Sequence, residues 1–242
     1  MISVQHLRKI CDGRMILDDV TLSIPPGERL CIIGPSGSGK TLLLHLLLGL
    51  QKPTSGTINI DGAPLQLLPP SILRLYYQRS GFIREEDSLP NSETVFEIVA
   101  LPLILQNNPP AITTTKTLDV LQSLTLLPHA HAFPNMLSKG ERKLISIARA
   151  LVTDPLLLFG DNPLEGLDPT QAAIVCNLFK QLNKKGTTLI LTSRDPLLGD
   201  ELHCRTLTLK DGTLHGEYAP SPLPLASDSK TIERSVKITA VK

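Results

Sequence analysis

The first third of the chain alternates apolar and polar positions in short runs. Residues 2–7 (ISVQHL), 16–24 (ILDDVTLSI) and 29–34 (RLCIIG) read as strands, the last preceded by the turn PPGE at 25–28. The nearly unbroken apolar run 41–50 (TLLLHLLLGL) has helical composition, and PTSG and TINIDG then read as a turn and a strand with its own turn. From 94 to 127 the pattern is mostly helical, interrupted by NNPP at 107–110. A second apolar strand, LLLF at 156–159, is followed by a helix over 171–186 and a strand over 187–193, and TLTLKDGTLHG (206–216) reads as a hairpin. Strands alternating with helices predict an α/β domain with a largely parallel, covered sheet.

The 242 residues suffice for one large α/β domain. With 24 Lys and Arg against 23 Asp and Glu, the net charge of +1 gives no sign of electrostatic capture of nucleic acid. The run 41–50 is too short to span a bilayer, and the first ten residues lack the layout of a signal peptide. A membrane role is therefore expected to come through a partner. Four cysteines without close paired spacing (Cys11, Cys31, Cys176, Cys204) read as reduced thiols. After Gly216 the composition turns Pro- and Ser-rich, so 218–242 is expected to be a flexible extension, its mildly basic end solvated.

The chemistry begins at 34–41, GPSGSGKT, which matches G-x-x-x-x-G-K-[ST] between a strand and a helix. Gly34, Pro35, Ser36, Gly37, Ser38 and Gly39 form a loop whose backbone N–H groups can turn to phosphates at the positive end of the helix. Lys40 is expected to reach the β- and γ-phosphates, and the Thr41 hydroxyl to bind Mg²⁺. Asp161, closing the second apolar strand, is its acidic partner in holding the metal. Asn162, an amide that cannot take a proton from water, follows it.

The order of motifs resembles the ATP-binding subunit of ABC transporters over about 1–216. MLSKGERKLISIARAL (136–151) is similar to the family's LSGGQ signature and its helix, and EGLDP (165–169) to its D-loop. The segment 81–103 resembles the small subunits of the FtsE, LolD and MacB type, which work with separate membrane proteins. The resemblance implies a P-loop NTPase fold with a mostly parallel core sheet, an N-terminal antiparallel β part and an inserted helical subdomain at about 90–145. The cassette would end near 217. It further implies ATP and Mg²⁺ as cofactors and a membrane permease as partner, with no nucleic acid. A second ATP-binding subunit, identical or not, would face this one head to tail. The expected place is cytoplasmic, on the inner face of the cell membrane. On the same basis Ser138, Gly140 and Asp168 belong to the nucleotide contacts. The permease would dock near 85–105, where Leu89, Val95, Phe96 and Ile98 are either its contacts or core.

Residue by residue, the working positions depart from the family pattern. Asn162 stands where the family has its catalytic Glu, Arg194 at the switch His, and Glu85 at the Q-loop Gln that ligates the metal, with Gln78 a rival for that role. Cys11 stands where an aromatic residue stacks on adenine, and the signature reads LSKGE, with Lys139 and Glu141 substituted. An amide can only hydrogen-bond water, and Arg donates but cannot relay a proton. The groups that bind phosphate and metal are retained and those that activate water are not, so binding with weak or absent hydrolysis is expected. A compensated, fully active ATPase is the alternative, with Lys139 or Glu165 as the compensating group.

Overall fold

The computed structural model describes residues 1–85 and 89–218, and of 217 and 218 only the backbone. The expected extension 218–242 lies, but for the backbone of its first residue, outside them.

Two sheets carry the fold. The first is antiparallel, in the order β2 (Arg14–Ile24), β1 (Ile2–Cys11), β4 (Ser55–Ile60) and β5 (Ala63–Pro64). The second runs in the order β10 (Thr213–Tyr218), β9 (Arg205–Lys210), β3 (Arg29–Ile33), β8 (Thr188–Ser193), β7 (Leu157–Asp161) and β6 (Ser80–Ile83). All its pairings are parallel except β9 with β10. Three of the hairpins close with the same two residues: Asp12-Gly13, Asp61-Gly62 and Asp211-Gly212, every one at positive φ. Two consecutive left-handed residues are what a tight hairpin needs to match strand twist, and Asp-Gly adopts them at little cost.

The second sheet is covered on both faces, and its central strand β8 is buried throughout. Side chains alternate between two cores. Leu30, Ile32, Phe159 and Ile190 pack with the first sheet and with Leu43, Leu44, Leu46 and Leu47 of α1 (Lys40–Leu47). Cys31, Leu158, Leu189 and Leu191 pack on the opposite side with α5 (Lys139–Leu151) and α6 (Pro169–Lys184). Between β6 and β7 the chain adds α3 (Val95–Leu105) and α4 (Pro110–Ser123), which with α5 form the inserted helical part. The break between α3 and α4 falls at the NNPP predicted from the sequence. The short α2 (Pro70–Gln78) and strand β6, which the hydrophobic pattern does not announce, complete the parallel sheet at its edge. A last short helix, α7 (Leu197–Glu201), follows β8.

All four cysteines are free, and burial pushes the thiols of Cys176 and Cys204 up to about 12. No helix among the described residues is long and apolar enough to cross a membrane.

Candidate functional site

The loop from β3 to α1 is built around its own lysine. Lys40 Nζ folds back and donates to the carbonyls of Gly34 and Pro35, each at 2.8 Å, and to Ser38 Oγ at 3.4 Å. Gly39, the residue before α1, has φ +99°, a conformation that a side chain would strain. Gly34 is required for space: a Cβ there would lie 2.4 Å from the backbone oxygen of Leu209. The loop lines an open pocket of about 310 Å³ together with Leu42, His45, Gln51, Glu85, Asn162 and Arg194. Partial burial lowers the proton affinity of Lys40, and the positive charge of Arg194 lowers it further; Asp161 and Glu85 oppose both effects.

The carboxylate of Asp161, at the end of β7, is 2 % exposed. Its Oδ2 accepts from the Thr41 hydroxyl at 2.7 Å and its Oδ1 from the Thr192 hydroxyl at 2.6 Å. Thr41 and Asp161 thus present adjacent hard oxygen donors, and Glu85 faces the same pocket, a set that suits Mg²⁺. No group of three or more His, Cys, Asp or Glu among the described residues could hold a metal alone. Asn162, 6 % exposed and at φ +43°, donates its backbone N–H to Thr192 Oγ1 at 3.2 Å.

Across the pocket Arg194, just past β8, forms an ion pair with Glu85, just past β6. Its other terminal nitrogen lies 3.6 Å from Glu165 Oε1. One guanidinium therefore bridges two carboxylates from separate loops. Of the two candidates for the Q-loop position, Glu85 borders this pocket, whereas Gln78 lines a second one between α2, α3 and α5. The backbone of Arg84 and Glu85 is held from α5, where the buried Lys143 donates to both carbonyls.

The remaining nucleotide-contact candidates are not brought into this pocket. Cys11 sits at the end of β1, half-buried and outside the lining. Ser138, Gly140 and Asp168 gather on a second surface. Ser138 caps α5 in a reciprocal box with Glu141, and Asp168 caps α6 in the same way with Gln171. Gly140 packs on Gln171, so closely that a Cβ would meet Gln171 Oε1 at 2.5 Å. The stem of Lys139 lies over Gly166. The signature and D-loop segments are thus one surface within the monomer, apart from the phosphate loop.

Sequence reasoning missed His45, Gln51, Lys143 and the role of Glu165 as an ion-pair partner. His45 was the most accessible of these: it lies four residues after Thr41 on the same helix face. It meets Phe82 edge-on with ring centroids 5.9 Å apart, and burial lowers its proton affinity. Of the four apolar candidates at the docking segment, Val95 and Ile98 are core, while Leu89 and Phe96 pack half-buried against it. The exposed apolar side chains of α3 lie towards its other end: Leu101, Ile104 and Leu105.

The sequence profile of the ABC transporter family matches residues 17–165. Among solved structures, the dimeric MJ0796, described as a bacterial ABC transporter cassette, is 30 % identical at a TM-score of 0.85. The alignment covers 92 % of this chain and all of that one. A dimeric post-hydrolysis state of MJ0796 bound to ADP and phosphate matches at 29 % identity and a TM-score of 0.84, with the same coverage. An ATP-binding subunit of an ABC transporter, 24 % identical at a TM-score of 0.80 over 90 % of each chain, shares the fold. With the phosphate loop, the acidic strand end and the inserted helices in this arrangement, the chain belongs to the ABC transporter family as an ATP-binding cassette.

Proposed function

We propose that the chain is the ATP-binding subunit of an ABC-type membrane complex, and that its own site holds Mg-ATP with weak or no hydrolysis. The cassette is taken as 1–217. The observation that carries the reading is a division within one pocket. Lys40, Thr41 and Asp161 are positioned to receive phosphate and metal. At the positions that would activate water stand an amide, Asn162, and a guanidinium, Arg194, which the pocket's carboxylates engage. Mg²⁺ between Thr41, Asp161 and the phosphates would neutralise charge there, with Glu85 as a further ligand. Phosphate loop N–H groups and Lys40 would fix the nucleotide. The missing general base is worth about 10²–10⁴-fold in rate.

The separation of Ser138, Gly140 and Asp168 from the phosphate pocket supports a second ATP-binding subunit, whose signature surface would complete the site. MJ0796, similar over its whole length, is dimeric. A membrane permease is the proposed second partner, received by the helical part near 85–105, and the exposed Leu101, Ile104 and Leu105 extend that apolar surface. The subunit would then sit at the inner face of the cell membrane, in the manner of the FtsE, LolD and MacB type, without contact to nucleic acid. A fully active, compensated ATPase is the second reading, and Glu165, a carboxylate within the pocket's charge network, favours it.

The test compares Mg-ATP binding with phosphate release. Calorimetric titration should give clear Mg-ATP affinity in the wild type and a loss of at least about tenfold in Lys40→Ala, the range for losing charge-assisted bonds to phosphate. Phosphate release at saturating Mg-ATP should stay well below ~1 s⁻¹. Equal affinity in both proteins would remove the binding reading. Turnover at or above that rate would move the assignment to the compensated enzyme.

A further inference from the structure

Two of the departures from the family pattern touch each other. Glu85 replaces a neutral amide and Arg194 a switch His, and the two new charges are paired across the pocket mouth. A third charge, Glu165, holds the other side of the same guanidinium at 3.6 Å. These loops follow β6, β8 and β7, so the three residues converge from three adjacent strands of one sheet. Arg194 is about half exposed and Glu85 about a quarter, so the pair is neither sealed nor free. A half-exposed pair of this kind is weak enough to exchange partners. The guanidinium fork also suits phosphate as well as it suits carboxylate.

We propose that Glu85, Arg194 and Glu165 form a clasp that makes phosphate capture depend on the divalent cation. This rests on the reading that the pocket binds ATP. Without the cation, Arg194 is occupied by the two carboxylates and is not free to receive phosphate. With the cation, Glu85 turns to the metal held at Thr41 and Asp161, and Arg194 passes to the phosphate chain. The three side chains act as positioning residues and exchange ionic partners without covalent change. Lys40 alone then faces metal-free nucleotide, which keeps the site empty until the complete Mg-nucleotide arrives. In an ordinary site with a neutral amide and imidazole at these positions, no such exchange exists.

The experiment is titration with the non-hydrolysable analogue AMP-PNP, by calorimetry, in excess MgCl₂ and in excess EDTA. It uses the full chain, as wild type, Glu85→Gln, Arg194→Gln and the double variant. In EDTA, Glu85→Gln should bind about two- to fivefold more tightly than the wild type, the upper part of the range for releasing a partly exposed ion pair. In MgCl₂ the two should differ less, so the ratio of the two affinities narrows. The gain in EDTA should disappear in the Arg194→Gln background, because no guanidinium remains to be released. A gain that persists there would mean simple loss of a repelling charge, and it would overturn the clasp. So would equal EDTA affinities for wild type and Glu85→Gln while the wild type binds in MgCl₂. Absence of wild-type binding in MgCl₂ would instead overturn the ATP-binding reading and the clasp with it.

Discussion

Restoring a glutamate at position 162 is the direct perturbation of the proposed weak site, and the structure predicts that it is not structurally neutral. Asn162 is 6 % exposed and sits at φ +43°. Left-handed backbone is tolerated by Gly and, among side chains, best by Asn and Asp; other residues lose about 1–2 kcal/mol there. A second carboxylate would also be buried beside Asp161, itself 2 % exposed, with no cation between them. Together these cost about 2–4 kcal/mol in the metal-free protein. For a domain of this size the melting temperature should fall by roughly 4–16 °C. Differential scanning calorimetry in EDTA checks this, with Asn162→Asp as control. Asp keeps the left-handed preference but adds the charge, so it should lose only part of the stability. MgCl₂ with ATP should recover more of the loss in both charged variants than in the wild type. A metal-free Asn162→Glu protein that melts like the wild type would refute the geometric reasoning. On activity, Asn162→Glu alone should gain little, because Arg194 remains at the switch position. Asn162→Glu with Arg194→His should gain more than the separate effects combined, as groups acting as a unit do.

Further outcomes follow from single contacts. Gly34→Ala drives a Cβ to within 2.4 Å of the Leu209 backbone oxygen, so a loss of about 1–3 kcal/mol is expected, read as a lower denaturant midpoint. Nucleotide affinity should decline with rising pH before the ordinary lysine value of 10.5, because Lys40 sheds its proton early; titration of nucleotide binding across alkaline pH checks it. Hydrogen bonds from Ser138 hold the Glu141 carboxyl below its ordinary 4.5, so the α5 cap contributes stability above that value and loses it as pH falls through the lowered one. Glu141→Gln should therefore flatten the acid side of the stability profile. Engineered cysteines at 89–92 and at Leu101 and Leu105 should crosslink to a co-expressed permease; crosslinks confined to the chain's end would count against the docking surface.

What could be read from the sequence was local. The hairpin at Asp211-Gly212, the phosphate loop and the strand ending in Asp161 each declare themselves within a few residues, because backbone conformation or ligand geometry demands particular side chains in tandem. The α2–β6 segment gave no such signal because both elements are short: α2 has nine residues and β6 four, less than the window over which a period is read. The signature helix was read through its family pattern. The link between Glu85 and Arg194 was beyond reach, since it joins residues 109 apart. Both stood out singly as departures; only the folded sheet shows that each supplies the other's counter-charge.

That contiguity bears on whether the site is decaying or rebuilt. Random loss of function leaves polar groups stranded, because the partner of a lost group has no reason to change with it. Here three of the positions read as departures, Glu85, Arg194 and Lys139, are linked through Glu165 and Gly166. Glu85 pairs with Arg194, Arg194 with Glu165, Glu165 adjoins Gly166, and the stem of Lys139 lies over Gly166. None of these side chains is among the buried polar atoms without partners in the described residues. The opposite-charge pair reaches from the phosphate pocket to Glu165, next to the surface that carries Ser138, Gly140 and Asp168. A charge change at the pocket, from a cation or a phosphate, can pass along that series by exchange of ionic partners, without any proton moving. On the proposed reading, such a site would report occupancy to a facing subunit rather than turn nucleotide over.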